Sequence, residues 1–349
     1  MRTEKSIRFK FKMNKKQIAV YYEHPDWFRP LFAELERREI QFEKIDAEQH
    51  AYNPNENWSE KYALVFNRMS ASAYLRGHGN AIFYTRGLLA RLEKQGVRVI
   101  NGYDAFQIEI SKALQAALFE SLGVKYPKTR IINSAASAVE AAKDLEFPIV
   151  FKPNIGGRGA GIIKFDSLKD LENAARENLL DLGIDSTGLV QEFAPKRGEH
   201  INRVETLGGK FLYAIKIYPN EESFNLCPAE ICQIEDAQEK SGASLIGEMC
   251  LTDAAKSGLR IEPFEPPPEI IKTVERIVKA AKIDVGGVEY LIDDRNGDAL
   301  FYDINALSNF VADAVNLIGF DPHEKLVDFL EKEIELCATD TGCRSSAVG

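Results

Sequence analysis

Phe151-Lys152-Pro153-Asn154-Ile155-Gly156-Gly157-Arg158-Gly159-Ala160-Gly161-Ile162 joins a lysine at the end of an apolar run to a loop dense in glycine. The stretch Pro148-Ile149-Val150-Phe151 predicts a buried strand. Glycines at 156, 157, 159 and 161 let successive backbone amides converge on an anion with no Cβ in the way. Lys152 adds a fixed positive charge, so the segment suits a polyphosphate. It lacks the Gly-Lys-Ser/Thr ending of a Walker loop, and its glycines do not fit the spaced triplet of a dinucleotide-binding turn. A plain glycine-rich hairpin is the competing reading.

A second constellation lies downstream. Gly287-Val288-Glu289-Tyr290-Leu291-Ile292-Asp293-Asp294 and Leu300-Phe301-Tyr302-Asp303-Ile304-Asn305 flank a turn that contains Asn296-Gly297, which predicts a β-hairpin. With a side-chain period of two, Glu289 shares a face with Leu291, while Asp303 and Asn305 share a face with Phe301. Two carboxylates and an amide so placed form an all-oxygen cluster suited to magnesium. The alternative is three solvated polar groups on an exposed sheet face, but both runs are apolar enough to be central strands.

With these residues quoted, the chain resembles the ATP-grasp enzymes, nearest to the RimK-like carboxylate–amine ligases. Four features match in family order. Lys112, in Glu109-Ile110-Ser111-Lys112-Ala113-Leu114-Gln115, precedes a helix that ends at Gly123-Val124-Lys125-Tyr126-Pro127-Lys128-Thr129 and is similar to the family's first ATP-contacting lysine. Lys152, with Gly156, Gly157, Arg158, Gly159 and Gly161, matches the second lysine and the phosphate-covering loop. Gln191-Glu192-Phe193 resembles the adenine hinge, and Glu199 the ribose-binding acid. Glu289, Asp303 and Asn305 match the metal ligands. Arg203 and Lys216 are the cations available to face an acylphosphate, and Asn225 resembles a family asparagine near the phosphates. Two departures are visible: Asp303 stands where the family usually has glutamate, and Ala306-Leu307-Ser308-Asn309-Phe310 replaces the common Ser-Pro-Gly.

The resemblance implies an α/β chain with α+β lobes: an ATP-grasp fold behind an N-terminal pre-ATP-grasp α/β domain. The implied organisation is a flexible extension at 1–12, the pre-ATP-grasp domain at 13–106, the grasp at 107–336 with a hinge near 189–194, and a flexible tail at 337–349. It further implies ATP and magnesium, as one or two ions with manganese as a substitute. The reaction implied joins a carboxylate, small or peptidic, to an amine such as an amino acid, with release of ADP and phosphate. A phosphoryl-transfer enzyme without an amine step, or a non-catalytic nucleotide-binding scaffold, are the alternatives.

Composition fits such an enzyme. In 349 residues, 45% hydrophobic and 28% charged, there is length for a core and no sign of wholesale disorder. A net charge of −9 gives no support to nucleic acid as a partner. No apolar run approaches the roughly 20 residues of a bilayer span, and Met1 to Lys12 lacks a signal peptide's apolar core. A cytoplasmic location with no membrane partner is expected; an oligomer is left open. Five cysteines, odd in number and without a Cys-x-x-Cys pair, indicate neither zinc nor a disulfide framework, so reduced thiols are expected.

The N-terminal segment alternates strands (Gln17–Tyr22, Gln41–Ile45, Tyr62–Arg68, Val97–Asn101) with helices (around Trp27 to Arg38, and Tyr84 to Gln95), which predicts a parallel sheet. Ligands favour the carboxyl ends of such strands, making Tyr22-Glu23-His24 and Asn67-Arg68 candidate acceptor residues unless they are plain loop polarity. Ser137-Ala138-Val139-Glu140 predicts a capping box. Past Glu265-Pro266-Pro267-Pro268-Glu269, the periodic run Ile270 to Ala281 predicts a helix under the metal hairpin, and another runs from about Pro322 to Leu336.

Overall fold

A computed structural model describes residues 17–157, 159–218 and 260–338. Arg158, Asn225 and the expected 1–12 extension lie outside the described residues. The chain opens with β1 (Gln17–Tyr22), α1 (Arg29–Arg37), β2 (Phe42–Asp46), the short α2 (Trp58–Lys61), β3 (Tyr62–Arg68), α3 (Gly79–Lys94) and β4 (Val99–Ile100). All pairings here are parallel, in the order β2-β1-β3-β4, as the strand–helix alternation requires. Helix α3 begins five residues before the expected Tyr84, behind a 3₁₀ turn at Ala71–Arg76.

Next come α4 (Tyr103–Glu109), α5 (Lys112–Ser121), β5 (Thr129–Ile132), α6 (Ala138–Ala141), β6 (Ile149–Pro153), β7 (Ile163–Phe165), α7 (Leu168–Arg176) and β8 (Gly188–Glu192). Strands β5-β8-β6-β7 form an antiparallel sheet with β6 inside it, which is why Ile149, Val150 and Phe151 are all buried. The capping box expected at Ser137 is not made. Ser134 instead accepts from Ala136 N at 3.3 Å, while the Ser137 hydroxyl donates back to the Ser134 carbonyl at 2.7 Å. A preceding 3₁₀ turn takes the serine that the motif needs.

The remainder is β9 (Ile201–Leu207), β10 (Lys210–Tyr218), β11 (Arg260–Pro263), α8 (Pro268–Ala280), β12 (Val285–Ile292), β13 (Ala299–Asn305), α9 (Ala314–Ile318) and α10 (Pro322–Ala338). The antiparallel order is β11-β10-β9-β12-β13. Helix α8 buries Val274 and Ile277 against Val288 and Ile304, under the hairpin as expected. The opposite face packs Tyr213, Ile215 and Ile217 into one core with Ile18 and Val20 of β1 and with Leu326 and Leu330 of α10. The first and third sheets therefore share a core. Asn101, at φ 52°, fixes their relation: its Oδ1 accepts from Asp284 N (2.8 Å) and Val285 N (3.1 Å), and its Nδ2 donates to the Val285 carbonyl (2.6 Å). Asparagine tolerates this left-handed backbone better than most residues. At the end of α10, Cys337 is disulfide-bonded, which corrects the expectation of reduced thiols at that position.

Two expectations about the hairpin need correction. Strand β13 is an edge strand, not a central one; the side-chain amide of Gln115 on α5 stands in for a neighbour, donating to the Ile304 carbonyl (2.9 Å) and accepting from Ile304 N (3.1 Å). A β-bulge also interrupts the pairing: Glu289 opposes Asp303, but Tyr290 opposes Phe301, with Tyr302 as the extra residue. The bulge flips Phe301 to the α8 face, away from Asp303.

Candidate active site

The site is built where α5 and the small sheet meet the β12–β13 hairpin. Ser111 caps α5 by accepting from Leu114 N at 3.2 Å, which sets Lys112 on the first turn. Lys112 Nζ reaches Asp303 Oδ1 at 2.7 Å. Asp303 Oδ2 accepts from Asn305 Nδ2 at 3.2 Å, leaving the Asn305 amide oxygen for a cation. Across the ladder, Glu289 faces Asp303, and its Oε1 accepts from Arg203 Nη1 at 2.9 Å. Arg203 Nε donates to Glu205 Oε1 at 2.6 Å, and Arg203, Glu205 and Glu289 are all buried. Gly287 makes this possible, since a Cβ there would stand 2.8 Å from Glu205 Oε1 and 3.0 Å from Arg203 Nε. Sequence reasoning did not mark Glu205, though its i, i+2 relation to Arg203 on β9 puts both on one face.

Charge and burial set the titration. Burial pushes the Glu289 carboxyl up to about 7, with Arg203 opposing and Asp303 adding to the rise. Burial would raise the half-buried Asp303 carboxyl as well, yet Lys112 holds it below the ordinary carboxylate range. Lys152, at the end of β6, is pulled down to about 7 by burial and by the neighbouring Lys112, against the attraction of Asp303 and Glu289. The donor set is right for magnesium: hard oxygens from two carboxylates and an amide, each carboxylate balanced by a cation. Among the described residues no group of three or more His, Cys, Asp or Glu could hold a metal, so the amide is needed to complete a set.

In register, Lys152 opposes Leu189 and Gln191 opposes Val150, so Lys152 and Gln191 share one face of the small sheet. They line a single cleft together with Lys112, Gln115, Phe301 and Tyr302. Gln191 is anchored by donating from Nε2 to Thr129 Oγ1 at 2.7 Å. Glu192 points to the other face, where its Oε1 accepts from Glu146 N at 3.0 Å. Phe193 is 38% exposed, with the Lys164 ammonium 5.5 Å from its ring centroid. Glu199 is exposed on the following loop. That loop is stitched to the end of β12, Arg197 N donating to the Ile292 carbonyl at 2.7 Å and Asp294 N to Pro195 O at 2.8 Å. Lys216 opposes Asn202, one residue out of phase with Arg203, so it occupies the opposite face of the sheet near Phe264 and does not join the carboxylates.

The glycine loop is anchored at its start. Asn154 N donates to Thr187 O at 2.9 Å, Asn154 Oδ1 accepts from Ala113 N at 2.8 Å, and Ile155 is buried in the core of the N-terminal sheet. Gly157 lies against the N-terminal layer, where a Cβ would stand 2.7 Å from Ser72 Cβ, and Gly159 and Gly161 both have φ 74°. Amide exchange is expected to be slow at Asn154 with or without nucleotide, and to slow at 159–162 only when nucleotide fills the loop. Equal protection of 159–162 in both states would remove the reason to call this segment a phosphate lid. Glu109, also unmarked by sequence reasoning, accepts from Leu307 N at 3.3 Å and from Ala306 N, holding the turn after Asn305; burial pushes its carboxyl up to about 7.

No protein-family model matches the chain. A D-alanine–D-alanine ligase from Acidovorax ebreus (strain TPSY) is 24% identical over 207 residues, which cover 56% of this chain and 60% of that relative. A probable alpha-L-glutamate ligase from Aliivibrio fischeri (strain MJ11) is 27% identical over 239 residues, 65% of this chain and 74% of the relative. The structure of the ATP-grasp ligase PsnB with a minimal precursor superposes with a TM-score of 0.63 at 18% identity, covering 91% of this chain and 99% of that one. The chain thus spans less than two thirds of the D-alanine ligase and most of the length of the other two. Layered as these sheets are, the chain has the ATP-grasp fold, and its sequence is similar to D-alanine and alpha-L-glutamate ligases.

Proposed function

We propose that the protein is an ATP- and magnesium-dependent ligase that joins a carboxylate to an amine through an acylphosphate, releasing ADP and phosphate. The observation that carries this reading is the half-buried pair Lys112–Asp303, facing the buried pair Glu289–Arg203, with Lys152 across the cleft. In this proposal Lys112 and Lys152 neutralise the polyphosphate under the loop of Gly156, Gly157, Arg158, Gly159 and Gly161. Gln191 to Phe193 flank the adenine, with the Glu192 side chain turned away, and Glu199 meets the ribose. Glu289, Asp303 and Asn305 would hold magnesium, which when bound would offset the negative charge of the phosphates. Residues 13–106, 107–336 and the hinge near 189–194 keep the domain roles given them by sequence.

The substrate carboxylate oxygen takes the γ-phosphoryl group as the bond to ADP breaks. The amine, as its neutral free base, then attacks the acyl carbon; phosphate leaves with one oxygen of the original carboxylate, and the nitrogen releases a proton to solvent as the amide forms. Arg203 is the cation assigned to the acylphosphate; positioning and electrostatics carry the acceleration. A cytoplasmic setting, with neither nucleic acid nor membrane as partner, belongs to the same proposal; among the described residues no helix is long and apolar enough to cross a membrane.

A screen for ADP release that crosses carboxylic acids, peptides included, with amino acids tests the reading. Release that needs both substrates is expected. Release with a phosphorylated product and no amine dependence would indicate a kinase instead. Lys152→Ala should raise the ATP dissociation constant by about tenfold or more, ~1.4 kcal/mol, because a desolvated partner of the phosphates is lost. Unchanged calorimetric affinity would overturn that role.

A further inference from the structure

Arg68 ends β3, next to β1 in the order β2-β1-β3-β4. Chain connections leave β1 toward β2 on one side and come back at β3 on the other, so Arg68 stands at the point where a parallel sheet opens a crevice at its carboxyl edge. Its side chain is 3% exposed and lies against Phe28 and Phe66, the guanidinium carbon 5.0 and 5.1 Å from their ring centroids. Nη2 donates to the Ser308 carbonyl and to Asn309 Oδ1 (3.1 Å), while Nε and Nη1 are buried without a hydrogen-bond partner. Burial works against its charge more than the nearby Glu109 and Glu205 favour it, and neither carboxylate hydrogen-bonds it. Buried donors are nearly always paired, so a guanidinium held by one nitrogen and idle at two is a preformed receptor for an acceptor.

The cover over Arg68 belongs to the active site. Ser308 and Asn309 follow Asn305 by three and four residues, and the Ser308 hydroxyl lies 3.5 Å from Arg203 Nη2. Just beyond, Phe310 at φ 59° and Asp313 at φ 50° hold left-handed backbone that is uncommon for such residues, marking a loop whose shape is imposed by its surroundings.

We propose that Arg68 binds a substrate carboxylate other than the one activated by ATP, and so selects acidic or amino-acid substrates; this rests on the ligase reading above. The carboxylate can come from the amine, as an amino acid's own carboxyl, or from a dicarboxylic first substrate. Either would pair with the idle nitrogens when the Ser308–Asn309 cover yields.

Calorimetric titration of the full chain, loaded with magnesium and a non-hydrolysable ATP analogue, tests it with two sets of probes. One set is the amino acids as free acids and as α-carboxamides; the other is succinate and glutarate with their monoamides. At least one free acid should bind about tenfold tighter than its amide, and Arg68→Lys should erase most of that preference while leaving nucleotide affinity unchanged. Preference in the first set assigns the amine's carboxyl, and preference in the second the dicarboxylic acid. Asn309→Ala keeps the cation but removes one of its holders, and should weaken the favoured acid about threefold, a check that does not depend on how Arg68→Lys folds. Nucleotide binding with no acid preference in either set, or equal losses for acid and amide in Arg68→Lys, would overturn the role of Arg68 alone. Failure of the wild-type chain to bind the analogue would overturn the ligase reading as well.

Discussion

Asp303→Asn should lower ADP release by at least about 10²- to 10³-fold, the scale on which loss of one preorganised charge in a site acts. The substitution keeps shape and removes one negative charge. Asp303 carries two of the contacts that organise the site, accepting from Lys112 Nζ at 2.7 Å and from Asn305 Nδ2 at 3.2 Å, and it faces Glu289 across the ladder. An amide in its place weakens a hard-cation site much more than it disturbs packing. Titration of the variant with ATP should show binding that no longer strengthens when magnesium is added. Near wild-type ADP release would refute the metal role of the hairpin.

Arg203→Ala should destabilise the fold by about 3–5 kcal/mol, because it leaves Glu205 and Glu289 as buried carboxylates with no counter-charge. Its guanidinium serves both, at 2.6 and 2.9 Å, and all three side chains are under 8% exposed. Arg203→Lys returns the charge without the planar fork, so about half of the loss should remain. Urea unfolding with the midpoint and slope fitted together measures both variants. A loss below about 1 kcal/mol for Arg203→Ala would mean that the two carboxylates take up protons or water at little cost.

The parts of this molecule visible in sequence are those governed by local rules. Strand–helix alternation foretold the parallel sheet because each apolar run has its own period, and Asn296-Gly297 foretold the hairpin because Gly297 sits at φ 82° in its turn. What stayed hidden depends on partners distant in the chain. The bulge at Tyr302 reverses the face of Phe301, and no residue type on β13 announces it. Lys216 and Arg203 looked interchangeable until register set them on opposite faces. Glu192 and Gln191, adjacent on β8, diverge for the same reason, since neighbours along a strand must point opposite ways. Glu109 was in plain view three residues before Lys112, but only the folded chain brings it under the turn at Ala306 and Leu307.

In the proposed reaction ATP activates a carboxylate as an acylphosphate, and an amine then displaces the phosphate. The direct measurement uses the substrate pair found by the ADP-release screen, with the carboxylate labelled by oxygen-18, and reads the isotope in the released phosphate by mass spectrometry. One labelled oxygen per phosphate, appearing in step with the amide product, is the predicted result. Unlabelled phosphate, with ADP still formed, would contradict the account.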